Sequence, residues 1–313
     1  MALSGQHVLV LRALGLGDLL TAVPALRSLR THLGRAHITL AAPLPLAELL
    51  PLIGAVDELL PVSGLRGRLP VTEPDVAVNL HGKGPESIRK LLTSKPRALL
   101  THTHPEVPEV RGPRWEQDQH EVHRWCRLLQ WYGIEADPAD LLLRAPAERV
   151  HPGAVVVHPG ASRTARCWPP ERFAEISSWL ADRGLPVLIS GSPAERGLAE
   201  LVAALGGLPK SAVVAGKTSL HELAALVCRA RLVVCGDTGV AHLATAYRTP
   251  SVVLFGPVSP QHWGPPDDPR HIALWSGRRG DTFADQPDPG LLEITTAAVE
   301  SAAQVLLESE VRA

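Results

Sequence analysis

Apolar residues in this chain are gathered into short solid runs, and the stretches between them repeat an apolar residue every three or four positions. The solid runs are His7 to Leu11, His37 to Ala41, Leu59 to Val62, Asp75 to Leu80, Ala154 to His158, Val187 to Ser190, Ala212 to Val214, Leu232 to Cys235 and Ser251 to Phe255. Each is short and rich in β-branched residues, so each predicts a buried strand. The repeating stretches predict helices from Asp18 to about His32, Glu116 to Tyr132, Glu195 to Leu205, Ser219 to Ala230, Val240 to Tyr247 and Ile294 to Leu307. In the second of these, Val122, Trp125, Cys126, Leu128 and Leu129 share one face and predict a core-facing stripe. Strands alternating with helices imply an α/β fold, with parallel sheets covered by helices on both faces.

From Asp137 to Pro152 the pattern lapses into Pro- and Ala-rich sequence with scattered charge, and a new strand begins just after it. A domain boundary is expected there, giving a first domain over 1–150 and a second over 151–290. Residues 291–313 form a terminal helical segment. A length of 313 residues fits this division, since two domains of about 150 residues can each bury a core.

Composition narrows the possible partners. A net charge of −1, with 20% charged residues, lacks the basic excess of a general nucleic-acid binder. The bias of 26 Arg over 5 Lys, together with 29 Pro, reads as coding bias and carries little chemistry. Cys126, Cys167, Cys228 and Cys235 form no C-x-x-C pair, and none has metal-ligand spacing with a nearby His. Reduced thiols are expected. No apolar run approaches the roughly 18 residues of a membrane span, and no basic region precedes Val8. The expectation is a cytoplasmic protein with no transmembrane segment, touching membrane-borne material only peripherally.

The candidate chemistry lies in loops after strands. Val233-Val-Cys-Gly-Asp-Thr-Gly-Val-Ala-His242 reads as strand, glycine turn and helix start. A helix start carries about half a positive charge and free N–H groups, and Gly239 leaves the approach open, so the site suits a phosphate or diphosphate. His242, one turn on, adds a donor. The simpler alternative is that Asp237 and Thr238 only cap the helix. His158-Pro-Gly-Ala-Ser162 with Arg163 and Arg166, and Gly191-Ser192, are expected at the same sheet edge, forming a partly cationic rim.

In the first half, Ala13-Leu-Gly-Leu-Gly17 leads into Asp18. The spacing of Gly15 and Gly17 suggests a dinucleotide fingerprint, but Leu20 occupies the third glycine's place, which argues against a nicotinamide enzyme. Asp18 is either a helix cap or a group facing a ligand. Lys83, in His81-Gly-Lys-Gly84, and Arg66 and Arg68, between glycines and Pro70, are candidate anion contacts, with solvated surface charges as the alternative.

Four ordered stretches resemble the ADP-heptose:lipopolysaccharide heptosyltransferases, glycosyltransferase family nine. They are Gly17-Asp-Leu-Leu-Thr-Ala-Val-Pro-Ala-Leu-Arg27; His158-Pro-Gly-Ala-Ser162 with Arg166 and Trp168-Pro169; Gly236-Asp-Thr-Gly-Val-Ala-His242; and Phe255-Gly-Pro-Val-Ser-Pro260 with Trp263-Gly-Pro265. The resemblance implies a GT-B fold, with two Rossmann-like domains facing across a cleft and the terminal helix packing back on the first. It implies an acceptor site in the first domain, where Gly17, Lys83 and Arg66 are the candidate contacts read from the residues, with Asp18 as general base in an inverting transfer. It implies a donor site made by Ser162, Arg166, Glu195, Asp237, Thr238, Gly239 and His242, with Arg166 where the family commonly carries lysine. The donor is then a nucleotide diphosphate sugar, an ADP-sugar by resemblance. The acceptor is a hydroxyl on a glycan, glycolipid or small molecule. No metal or other cofactor is expected, because a helix N-terminus and a cation can stabilise the leaving diphosphate. A nucleotide-sugar epimerase and a catalytically silent binding protein remain alternatives.

Overall fold

The solid apolar runs become the strands of two parallel sheets in a computed structural model that describes residues 7–67, 69, 70, 73–148 and 150–310. Arg68 lies outside the described residues. The chain divides into two compact units after Arg144.

In the first unit β1 (His7–Leu11), β2 (His37–Ala42), β3 (Glu58–Pro61), β4 (Val76–Asn79) and β5 (Ala98–Leu100) pair in the order β3-β2-β1-β4-β5. All the pairings are parallel. Its helices are α1 (Leu16–Thr21), α2 (Val23–Leu33), α3 (Leu50–Ile53), α4 (Glu86–Leu92) and α5 (Glu121–Trp131). The single helix expected from Asp18 to His32 is divided at Ala22, with Pro24 in the first turn of α2. Proline has no N–H to give the carbonyl four residues back and its ring crowds that carbonyl, so the helix stops and restarts. The helix expected from Glu116 starts instead at Glu121, with the His120 ring accepting from the Val122 N–H. Arg124 occupies the carbonyls of Glu116 and Gln119, which would otherwise feed an earlier turn.

In the second unit β6 (Val155–His158), β7 (Val187–Ile189), β8 (Leu232–Gly236), β9 (Ser251–Phe255) and β10 (His271–Trp275) pair in the order β10-β9-β8-β6-β7, again all parallel. Its helices are α6 (Pro170–Ala181), α7 (Arg196–Leu205), α8 (Leu220–Arg229), α9 (Gly239–Tyr247), α10 (Pro260–Trp263), α11 (Pro289–Leu292) and α12 (Thr296–Glu310). The strand expected at Ala212 to Val214 is reduced to one parallel bridge between Val213 and Ile189. A 3-10 turn over Lys210–Ala212 consumes its start, and the Lys217 ammonium donates to the Val213 carbonyl at 2.7 Å. Counting that bridge, the second sheet follows the first sheet's order with one strand added. In both, strand order reverses beside the first strand.

A side chain also covers the outer edge of β5. The Tyr132 hydroxyl accepts from the Thr101 N–H at 3.1 Å and lies 3.0 Å from the Thr101 carbonyl.

The terminal helix α12 belongs to the second unit. It packs within the second unit, against α6, β8 and β9. Val299, Ala302, Ala303 and Leu306 form one buried face that joins the core of the second sheet. The approach to that helix is fixed by the Trp168 indole N–H and Arg172, which donate to the Ile294 carbonyl at 3.1 and 2.9 Å. Among the described residues, no helix is long and apolar enough to cross a membrane.

Candidate functional site

Open parallel sheets bind ligands beyond the carboxyl ends of the strands where their order reverses. In the first unit that point lies between β1 and β4. Asp18 stands in the first turn of α1, where its carboxylate accepts the Gly15 N–H at 3.2 Å. Capping is therefore part of its role. Its other oxygen lies 3.5 Å from Arg12, and 28% of its side chain remains exposed, so an incoming hydroxyl can reach it.

Arg12, directly after β1, is fully buried. Its Nε donates to the Asp18 carbonyl at 2.8 Å, one Nη donates to the Leu80 carbonyl, and the other reaches the Thr21 hydroxyl and the Glu121 carboxylate at 3.1 and 3.2 Å. Glu121 in turn accepts from Arg124 and from the Trp125 indole, each at 3.0 Å. The guanidinium also sits 4.7 Å from the Trp125 ring centroid. Carboxylates and guanidiniums thus alternate through Asp18, Arg12, Glu121 and Arg124. Sequence reading missed all but Asp18. The available signal was a charge closing a solid apolar run, and an acidic residue opening the best core-facing helix.

His81 follows β4 beside this chain of charges. Burial, with Arg12 and Lys90 nearby, pushes its pKa down to about 4 and keeps the ring neutral. Of the expected acceptor contacts, Gly17 lies in α1 itself and Lys83 is exposed in the loop after β4. Arg66 follows β3, an edge strand two positions from β1, and its carbonyl accepts from the buried Lys90 at 3.0 Å. The fold therefore brings Gly17, Asp18 and Lys83 to the switch point and leaves Arg66 to one side.

In the second unit the order reverses between β6 and β8. Arg166, in a 3-10 turn after β6, places Nη1 3.1 Å from the Asp237 carboxylate, which follows β8. Asp237 is 6% exposed and Arg166 21%, so the pair is largely shielded while the guanidinium still meets solvent. The Arg166 Nε has no hydrogen-bond partner. Thr238 is the N-cap of α9 by position, yet its hydroxyl makes no cap hydrogen bond. It lies beside the Cys235 thiol, whose pKa burial drives upward. The Thr238 hydroxyl thus does not cap α9, Asp237 faces Arg166, and Gly239 opens α9 without a side chain. His242 is half-buried one turn on, its ring 6.0 Å from that of Trp263 in an edge arrangement.

The turn bearing Arg166 is held by close backbone approach. A Cβ at Gly256 would meet the Ala165 carbonyl at 3.3 Å, and the Asp288 N–H donates to that same oxygen at 3.1 Å. Ser162 is exposed in the preceding loop. Glu195 ends a short 3-10 turn after β7, just before the helix expected to start with it, and accepts the Ser192 N–H at 2.7 Å. Gly160 lies so close that a Cβ there would fall 2.1 Å from the Glu195 carboxylate. The ends of β6 and β7 are joined again by His158, whose Nδ1 lies 3.0 Å from the Ser190 hydroxyl. Burial lowers the pKa of that ring, with Glu195 opposing.

Two parallel sheets of this order, each with its polar loops at the switch point, define an α/β protein of the GT-B fold class. Residues 110–286 match glycosyltransferase family 9 (heptosyltransferase), and the chain belongs to that family. It is 32% identical to lipopolysaccharide heptosyltransferase 2 of Salmonella typhimurium over 161 residues, 49% of this chain and 46% of that protein. It is 32% identical to lipopolysaccharide heptosyltransferase 3 of Escherichia coli over 125 residues, 39% of this chain and 36% of that one. The chain thus spans less than half the length of these curated relatives. Among solved structures, a glycosyl transferase family 9 protein from Veillonella parvula superposes with a TM-score of 0.79 at 20% identity, covering 99% of both chains. The E. coli ADP-heptose lps heptosyltransferase II gives 0.77 at 22%, over 97% of this chain and 99% of that one. These likenesses establish the shared fold.

Proposed function

We propose that this chain is an inverting glycosyltransferase that moves a sugar from a nucleotide diphosphate sugar to an acceptor hydroxyl. The donor is an ADP-heptose, and the acceptor is a glycan or glycolipid of the lipopolysaccharide kind that its relatives' names describe. The observation that carries the reading is the Arg166–Asp237 pair at the start of α9, on the switch point of the second sheet. A guanidinium held by a buried carboxylate, beside a helix N-terminus, suits the charge that builds on a departing diphosphate. The part of the Arg166 side chain that stays exposed leaves it N–H groups to offer. Asp18 takes the proton from the acceptor hydroxyl, whose oxygen bonds to the anomeric carbon as the bond from that carbon to the diphosphate breaks.

In this reading Ser162, Glu195, Thr238, Gly239 and His242 contact the donor, while Gly17 and Lys83 serve the acceptor. Arg166 and α9 take the part a divalent ion plays elsewhere, so transfer proceeds in EDTA. The test is thermal unfolding of the full chain against ADP-, GDP- and UDP-sugars. A donor at about 100 times its dissociation constant adds roughly 2.7 kcal/mol to stability. A shift with the ADP-sugar alone supports the reading, and no shift with any of the three overturns it. Conversion of the donor with no acceptor present points to epimerisation instead.

A further inference from the structure

The arrangement behind Asp18 resolves into a charge relay with one shared member. Arg12 is fully buried and touches both carboxylates, Asp18 at 3.5 Å and Glu121 at 3.2 Å, while Glu121 is held from its far side by Arg124 at 3.0 Å. A buried guanidinium between two carboxylates cannot satisfy both equally. Glu121 has the shorter contact, and the Trp125 indole also donates to it. Asp18 has the longer one and the only notably exposed carboxylate of the two, with side-chain exposures of 28% against 11%.

His81 faces Arg12 from the loop after β4 and is held neutral. On the packed helix α2, Arg27 is engaged by Asp140 and Arg30 by Asp57.

We infer that Arg12 is a positioning residue whose division between Asp18 and Glu121 sets the basicity of Asp18. A guanidinium given wholly to Asp18 would make its carboxylate a weak proton acceptor. Without Arg12, the carboxylate would lose the cation that lies 3.5 Å from it. Glu121 draws the guanidinium partly away, and Arg124 limits how far. The inference rests on the reading of Asp18 as general base, but its central measurement does not need turnover.

Full-length protein carrying 13C-labelled aspartate is titrated by NMR, with the Asp18 carboxyl signal assigned from its loss in Asp18→Asn. Glu121→Gln removes a negative charge and frees Arg12 for Asp18, so the Asp18 midpoint falls by about half a pH unit or more. Arg124→Gln removes a positive charge and lets Glu121 take more of Arg12, so the midpoint rises. The opposed signs mark an electrostatic coupling through this set of charges, because a loosened fold alone gives no such pairing. If one variant does not fold, the other still decides. A midpoint within about 0.2 pH unit of wild type in either folded variant overturns the inference. ADP release from ADP-heptose by Asp18→Asn is followed separately. Undiminished turnover there removes the base reading and leaves the titration to stand or fall alone.

Discussion

Arg166 and Asp237 lie 3.1 Å apart, one following β6 and the other following β8, so a single ion pair spans the point at which the second sheet reverses its strand order. Asp237 is the deeper partner. Its carboxylate is nearly enclosed, and its charge depends on the arginine that the donor is proposed to use.

Arg166→Ala is therefore expected to act twice. Taking the guanidinium from this buried carboxylate costs about 3 kcal/mol of stability, at the low end of the usual range because Arg166 is partly exposed. Donor affinity is expected to fall by tenfold or more, roughly 1.4 kcal/mol. Arg166→Lys keeps the charge without the fork and should lose less of both. Calorimetric titration with ADP beside a melting curve separates the two effects, and unchanged ADP affinity in Arg166→Ala would count against the donor site.

Gly160→Ala places a methyl group where the Glu195 carboxylate now lies. The end of that side chain can swing away, so the fold survives, but the carboxylate gives up the Ser192 N–H. A loss of about 1 kcal/mol is expected, typical of a lost cap. Donor binding should weaken beyond that if Glu195 touches the donor. Glu195→Gln with Gly160 intact is the control.

His102 gives a pH signature in the first unit. It is 3% exposed, between Trp115 and Trp125, and burial, with Arg124 and Arg127, pushes its pKa down to about 4. The unfolded chain takes up its proton near pH 6.5 and the folded chain only near 4, so the unfolded state binds more protons between those values. Stability is full above about pH 6.5 and falls as pH is lowered toward 4, by roughly 2 to 3 kcal/mol from this ring. His102→Gln removes that part of the slope. Denaturant melts at pH 7 and pH 4.5 should show a smaller difference in the variant than in the wild type.

Leu306→Ala empties a buried site between α12 and the second sheet, and is expected to cost about 2 to 5 kcal/mol. Because α12 packs on α6, β8 and β9, the loss should appear in the melting of the second unit. A variant in which only the first unit melts earlier would contradict this placement.

The sheets were legible because their central strands are solid apolar runs, a pattern that only Ala212 to Val214 imitated among the runs that were read as strands. β5 and β10 escaped, being an edge strand of three residues and one only half-buried along its length. The partners of Asp18 were hidden for a different reason. Arg12 and Glu121 are 109 positions apart, and only the folded chain brings them into contact. Arg166 and Asp237 stood out in the sequence through their loops, but not as a pair. The packing of the terminal helix was not legible, because an Ala- and Val-rich face fits many surfaces and the Trp168 and Arg172 contacts at Ile294 cannot be read from spacing.

Tyr132 and Lys217 have no part in the proposed chemistry, yet each occupies backbone polar groups at the open side of a sheet: the hydroxyl on Thr101, the ammonium on Val213. An exposed row of such groups is a template on which another chain can add itself as a strand. With one phenol and one amine seated there, those two borders offer a newcomer little to pair with, a safeguard against sticking built from single side chains.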